Sequence, residues 1–175
     1  MNSITKNNKL NILFVTLAFA SRLVPHPPNF SFMGGYSLFA GANGHSQKSF
    51  VSLLLPFLVL GATDTILGFH DQIPGVYAAF LAVISLGYFA APLLAKGHVI
   101  TNSLLSATST LLFFVISNLW VWWTTYPHDF QSLVTCMTLA LPFLGWAFLG
   151  DLVATHLFVT LPASRFIPKL AKDRL

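Results

Sequence analysis

Residues 99–123 form the uncharged stretch VITNSLLSATSTLLFFVISNLWVWW. A helix needs about 20 mostly apolar residues to cross a bilayer, so this stretch predicts one crossing. Five further apolar segments accompany it, near residues 10–24, 30–43, 50–69, 74–95 and 130–161. We therefore predict an all-α membrane protein with six transmembrane helices, built as a single transmembrane domain over residues 1–175.

Three of these segments depart from the ordinary length of a crossing. Segments 10–24 and 30–43 are short, so we expect them to tilt little, to thin the bilayer, or to form a partly re-entrant hairpin. Segment 130–161 is too long for one straight crossing, and Pro142 inside it predicts a kink.

The composition excludes several classes of protein. The 175 residues are 55% hydrophobic and only 8% charged, whereas soluble domains carry roughly 25% charged residues. The basic residues lie at the ends of apolar segments rather than in a patch, which excludes a nucleic-acid partner. Cys136 is the single cysteine, so it cannot form an intramolecular disulfide. No motif for a nucleotide or for hydrolytic catalysis is present, so we expect no cofactor and no enzyme.

The basic residues predict the orientation in the membrane. With six crossings, eight of them fall on one side: Lys6, Lys9, Lys48, Lys96, Arg165, Lys169, Lys172 and Arg174. The connections on the other side carry Asp71 and Asp129 but no Lys or Arg. Because basic loops stay in the cytoplasm, we predict that both termini are cytoplasmic.

Polar or reactive side chains lie near the outer ends of four predicted helices, at Arg22, Asp64, Asn118 and Cys136. A charge inside a membrane is costly and usually marks a function or a partner. One interpretation is a ligand pocket that opens outward, with Arg22 and Asp64 as charged walls. The other is a structural ion pair between these two side chains. Both interpretations stay open and are compatible.

Asp151 lies deeper, towards the predicted cytoplasmic face. We expect a structural role for it, either in a pair with Lys96 or as a cap for broken backbone near Gly150. A proton relay would need a second acid at similar depth, and the sequence shows none.

The outer connections add further candidate binding residues. His26, Asn29 and His70 lie in them and could act as a lid, while Trp120 and Tyr126 lie at the end of an apolar segment. An interfacial aromatic belt and stacking on a ligand are both open for Trp120. The outer histidines and aspartates have no ligand spacing within a loop, so no metal site is expected.

The chain resembles an uncharacterised family of small bacterial integral membrane proteins. The resemblance is carried by RLVPHPPNF at residues 22–30 and DTILGFH at residues 64–70. It continues through residues 111–114, 118, 121–122, 126–127, 136, 140–143 and 150–152.

That family is similar to the substrate-binding S components of energy-coupling-factor (ECF) transporters. The resemblance implies an S-component-like bundle in the bacterial inner (cytoplasmic) membrane, which binds a vitamin or precursor near the extracytoplasmic face. It also implies a coupling membrane subunit with ATPases as a partner. Two alternatives stay open: a structural or accessory membrane subunit without a ligand, and a solitary corrinoid transporter that uses Cys136.

Overall fold

The computed structural model describes residues 8–163, which form helices and their connections without a β-strand. The helices are α1 Asn8–Leu23, α2 Met33–Gln47, α3 Phe50–Leu67, α4 Ile73–Phe89, α5 Ala91–Leu94, α6 Val99–Thr125 and α7 Phe130–Thr155. A π-helical turn, His156–Thr160, continues α7. Five residues behind the predicted orientation lie outside the described range: Lys6, Arg165, Lys169, Lys172 and Arg174.

Two predicted segments differ from the observed helices for local reasons. Segment 30–43 predicts the second helix, but α2 is Met33–Gln47; before it, Asn29 adopts a left-handed backbone with φ 64° and the Phe32 N–H donates to Oγ of Ser21. Segment 74–95 predicts one continuous helix, but α4 ends at Phe89 and the short α5 follows. Pro92 lies in that short helix, and its missing N–H prevents an unbroken ladder of hydrogen bonds.

Three helices are long and apolar enough to cross a membrane: α3, α6 and the continuous helix Phe130–Ala163. Two shorter apolar helices, Leu10–Leu23 and α4, accompany them. The outward faces of the long helices expose large apolar side chains such as Ile100, which is 76% exposed, and Phe130, which is 78% exposed. Apolar surface of this extent suits a protein that lies in a lipid bilayer.

Helix α2 lies at the centre of the bundle and packs against α1, α3, α4, α6 and α7. Most of its residues are buried. Gly41 lets its backbone approach that of α4, since a Cβ there would overlap the carbonyl of Ile84. Gly87 of α4 has the same relation to the carbonyl of Leu38. Small residues at both positions therefore bring the two helices into backbone contact.

Candidate functional site

A cavity of about 280 Å³ lies among the six long helices. Its floor is buried and is formed by Met33, Gly34, Asp64, Phe80, Ala147 and Asp151. Its rim is exposed and includes His26, Asn29, Leu67 and His70. The rim therefore belongs mainly to the α1–α2 and α3–α4 connections, while the floor lies inside the helical bundle.

Asp64 forms the first polar cluster of the cavity. Nη2 of Arg22 lies 2.7 Å from its Oδ1, and the Tyr77 hydroxyl donates to its Oδ2 at 2.9 Å. Arg22 lies in the last turn of α1, Asp64 in the last turn of α3 and Tyr77 in α4. The cluster joins three helices, and it confirms the ion pair that the sequence predicts.

Arg22 keeps unused hydrogen-bonding capacity beside the cavity. Its guanidinium group carries five N–H donors. Nη2 is occupied by Asp64, whereas Nη1 is buried and has no hydrogen-bond partner within residues 8–163. Because a buried donor without a partner is costly, the hydrogen bonding of the Asp64 cluster is incomplete at this atom.

Asp151 forms the second polar cluster. The Thr110 hydroxyl donates to its Oδ2 at 2.8 Å, and the backbone N–H groups of Gly34 and Gly35 also donate to its carboxylate. Gly34 and Gly35 lie in the first turn of α2, whose N–H groups have no partner within the helix. Since the residue before α2, Phe32, provides no side-chain cap, Asp151 caps α2 from a different helix.

This placement corrects two expectations about Asp151. The expected partner was Lys96, or broken backbone near Gly150. The carboxylate instead binds Thr110 of α6 and the start of α2, and the only ion pair among the described side chains of residues 10–163 is Arg22–Asp64. Asp151 also lines the same cavity as Asp64, so a second acid faces this space.

A family model described as "Family of unknown function (DUF6580)" matches residues 2–167. The chain belongs to family DUF6580. No curated protein and no solved structure matches this chain. Since the family description names no activity, the cavity is the feature from which a function can be argued.

Five of the residues proposed from the sequence line the cavity: Arg22, His26, Asn29, Asp64 and His70. Arg22 and Asp64 form the ion pair, and His26, Asn29 and His70 lie at the rim. His128, the third outer histidine, instead stacks on Trp123 with ring centroids 4.4 Å apart. Within residues 8–163, no group of three or more His, Cys, Asp or Glu side chains is arranged to hold a metal ion.

The other four proposed residues lie outside the cavity. Asn118 donates from Nδ2 to the Phe114 carbonyl at 2.7 Å, and Cys136 donates from Sγ to the Asn118 carbonyl at 3.6 Å. Trp120 donates from Nε1 to the Asp71 carbonyl at 3.3 Å. Tyr126 ends α6, where its N–H donates to the carbonyl of Trp122. These contacts lie within α6, or join α6 to α7 or to the α3–α4 connection.

The apolar walls of the cavity were not anticipated from the sequence. Phe80 of α4 and Phe113 of α6 form one wall, with ring centroids 4.9 Å apart. Met33 and Ala147 complete the floor. The chain has 17 phenylalanines, and no local pattern separates these two from the ones that face outward. For Gly34 the sequence gives only a weak indication of a special position, which is the Gly-Gly pair at the start of a short helix.

Proposed function

We propose that this DUF6580 protein is a multi-pass membrane protein that binds and carries a small cofactor-like molecule, such as a vitamin or a precursor, in the cavity. The observation that supports this most is the composition of the cavity itself. Ligand sites are concave, mostly apolar and hold a few fixed polar groups, with volumes of roughly 300–1,000 Å³. The cavity is near the lower limit at about 280 Å³ and combines aromatic walls with fixed carboxylates.

We propose six crossings, by α1, α2, α3, α4, α6 and α7, in a bacterial inner membrane with both termini in the cytoplasm. Lys48 follows α2 and Lys96 precedes α6, so successive crossings bring both residues to one side. The rim residues His26 and His70 lie on the alternate connections. On this topology the cavity opens towards the extracytoplasmic side, as in the S components that the sequence resembles.

Labelling of single cysteines tests this topology on a Cys136→Ser background. We expect Gln72→Cys, beside the rim, to react with an impermeant maleimide from the extracytoplasmic side. Lys48→Cys is the matched position on the opposite side, and we expect it to react only after the membrane is opened. The reverse pattern would contradict the proposed orientation.

A structural or accessory subunit without a ligand is the second candidate, and one observation favours it. Both buried carboxylates already have partners inside the protein, since Asp64 joins three helices and Asp151 caps α2. A solitary corrinoid transporter has less support, because Cys136 lies outside the cavity. A coupling subunit with ATPases remains proposed from the resemblance alone.

Native mass spectrometry of the purified full chain separates binding from a purely structural role. We expect the wild type to carry a small-molecule mass, and Ala147→Leu to lose it because the larger side chain fills the cavity floor. Ala140→Leu is the matched control, since Ala140 is equally buried on the same helix but does not line the cavity. Absence of any bound mass from the wild type would favour the structural role.

A further inference from the structure

The charges that line the cavity do not cancel. Arg22 and Asp64 neutralise each other across 2.7 Å. Asp151 lines the same cavity, is 6% exposed, and forms no ion pair with any side chain described between residues 10 and 163. With these side chains ionised, the buried part of the cavity carries one negative charge in excess.

The partners of Asp151 fix its position but supply little positive charge. The Thr110 hydroxyl and the two glycine N–H groups are neutral dipoles. The start of a helix acts as roughly half of a positive charge at most. A buried carboxylate with only this compensation has a strong attraction for a cation that enters the cavity.

The walls of the cavity indicate which kind of cation fits. A volume of about 280 Å³ is far larger than a bare ion. The rings of Phe80 and Phe113 line the same space, and aromatic faces attract organic cations within about 6 Å. An anion would meet Asp151 at the floor, while the guanidinium that could attract it is already paired with Asp64.

We infer that the cavity takes a small organic monocation with an apolar or aromatic body, held by Asp151 and by the phenylalanine wall. This inference rests on the proposed function, because it names the chemical class of the molecule that the cavity binds.

Three probes of the same size test the preference for a cation: benzylammonium, benzyl alcohol and benzoate. Their affinities are measured by calorimetry on the full chain in nanodiscs, at constant ionic strength and pH 8. We expect benzylammonium to bind about tenfold more tightly than benzyl alcohol, as a close charge pair in a buried site allows. We expect benzoate not to bind.

Two variants locate the probe. Asp151→Asn keeps the size of the side chain and removes its charge, so the advantage of benzylammonium over benzyl alcohol should disappear. Asp71→Asn is the matched control, because it changes the net charge equally at an exposed residue outside the cavity. If Asp151→Asn does not fold, Ala147→Leu decides the location, since filling the floor should abolish benzylammonium binding.

The outcomes distinguish this inference from the proposed function. Tightest binding by benzoate would overturn the inference in favour of an anion site at Arg22, while the proposed function would stand. Equal affinities, or no binding by any probe, would also overturn the inference. The proposed function is tested by a different experiment: it would be wrong if the wild-type chain carried no small-molecule mass in native mass spectrometry.

Discussion

Asp64 and Asp151 are two buried carboxylates in one cavity, and the structure holds them in different ways. Asp64 has a full counter-charge, because Arg22 lies 2.7 Å away and Tyr77 occupies its second oxygen. Asp151 has only neutral donors, which are the Thr110 hydroxyl and the N–H groups at the start of α2. The first carboxylate is compensated within the protein, whereas the second keeps a charge that a ligand can use.

The two clusters also divide the bundle between them. The Asp64 cluster joins α1, α3 and α4, and the Asp151 cluster joins α2, α6 and α7. Each of the six long helices therefore contributes a polar group to one of these two clusters, and both carboxylates line the cavity. Substitutions at either point should affect both stability and binding, and the size of each effect tests the difference between the carboxylates.

Arg22→Met should have the largest effect, because it leaves Asp64 buried without its counter-charge. Removal of one partner from a buried pair costs about 3–5 kcal/mol, and we expect the lower end since the Arg22 side chain is 17% exposed. The double variant Arg22→Met/Asp64→Asn should recover part of that loss. The unfolding free energies of the detergent-purified single and double variants are compared. If the losses of Arg22→Met and Asp64→Asn simply add in the double variant, the two side chains are not coupled.

Gly34→Ala should have the next largest effect, because the added Cβ would overlap the Asp151 carboxylate. We expect a loss of about 2–3 kcal/mol of unfolding free energy, in the upper part of the range for overpacked sites. Gly145→Ala is the matched control on α7, where a Cβ would meet nothing within 4 Å. That control should be neutral or stabilising by up to about 1 kcal/mol. Equal losses at both glycines would show that Asp151 does not pack against α2.

Thr110→Val should have a smaller effect, since it removes one of three donors to Asp151 and keeps the shape of the side chain. A hydrogen bond to a charged group contributes about 1.5–3 kcal/mol, and we expect the lower end because the α2 amides remain. Thr108→Val is the control, as its exposed hydroxyl donates only to Leu104 of the same helix. A loss at Thr108 as large as that at Thr110 would argue against a special role for the Asp151 cluster.

The sequence predicts the features of this molecule that depend on the length of a segment or on the depth of a charge in the membrane. Apolar length places α3 and α6 closely, because a bilayer sets the length of a crossing. The cost of a charge in a membrane predicts the Arg22–Asp64 pair, since each residue needs a partner and the other lies at a similar depth.

Features that depend on how helices face each other were not accessible in this way. The position of Asp151 along α7 gives its depth but not the helix that it meets, so its contact with the start of α2 could not be predicted. The burial of α2 at the centre was also missed, because a short segment fits a thinned bilayer or a re-entrant hairpin as well as a central helix, although four of its fifteen residues are glycines. Which phenylalanines form the cavity wall depends on helix rotation, which the sequence pattern leaves open.

Asn118→Ala should have the smallest effect, and it tests where the boundary of the binding site lies. The sequence proposes Asn118 as a binding residue, but its amide donates within α6 to the Phe114 carbonyl and does not line the cavity. We expect a change of about 0.5–1 kcal/mol in unfolding free energy, as for one ordinary hydrogen bond, and unchanged affinity for benzylammonium. Asp151→Asn, measured beside it, should change the affinity. If Asn118→Ala weakens binding about tenfold while the fold is intact, the ligand must reach the outer end of α6. The binding residues proposed from the sequence would then describe the site better than the cavity does.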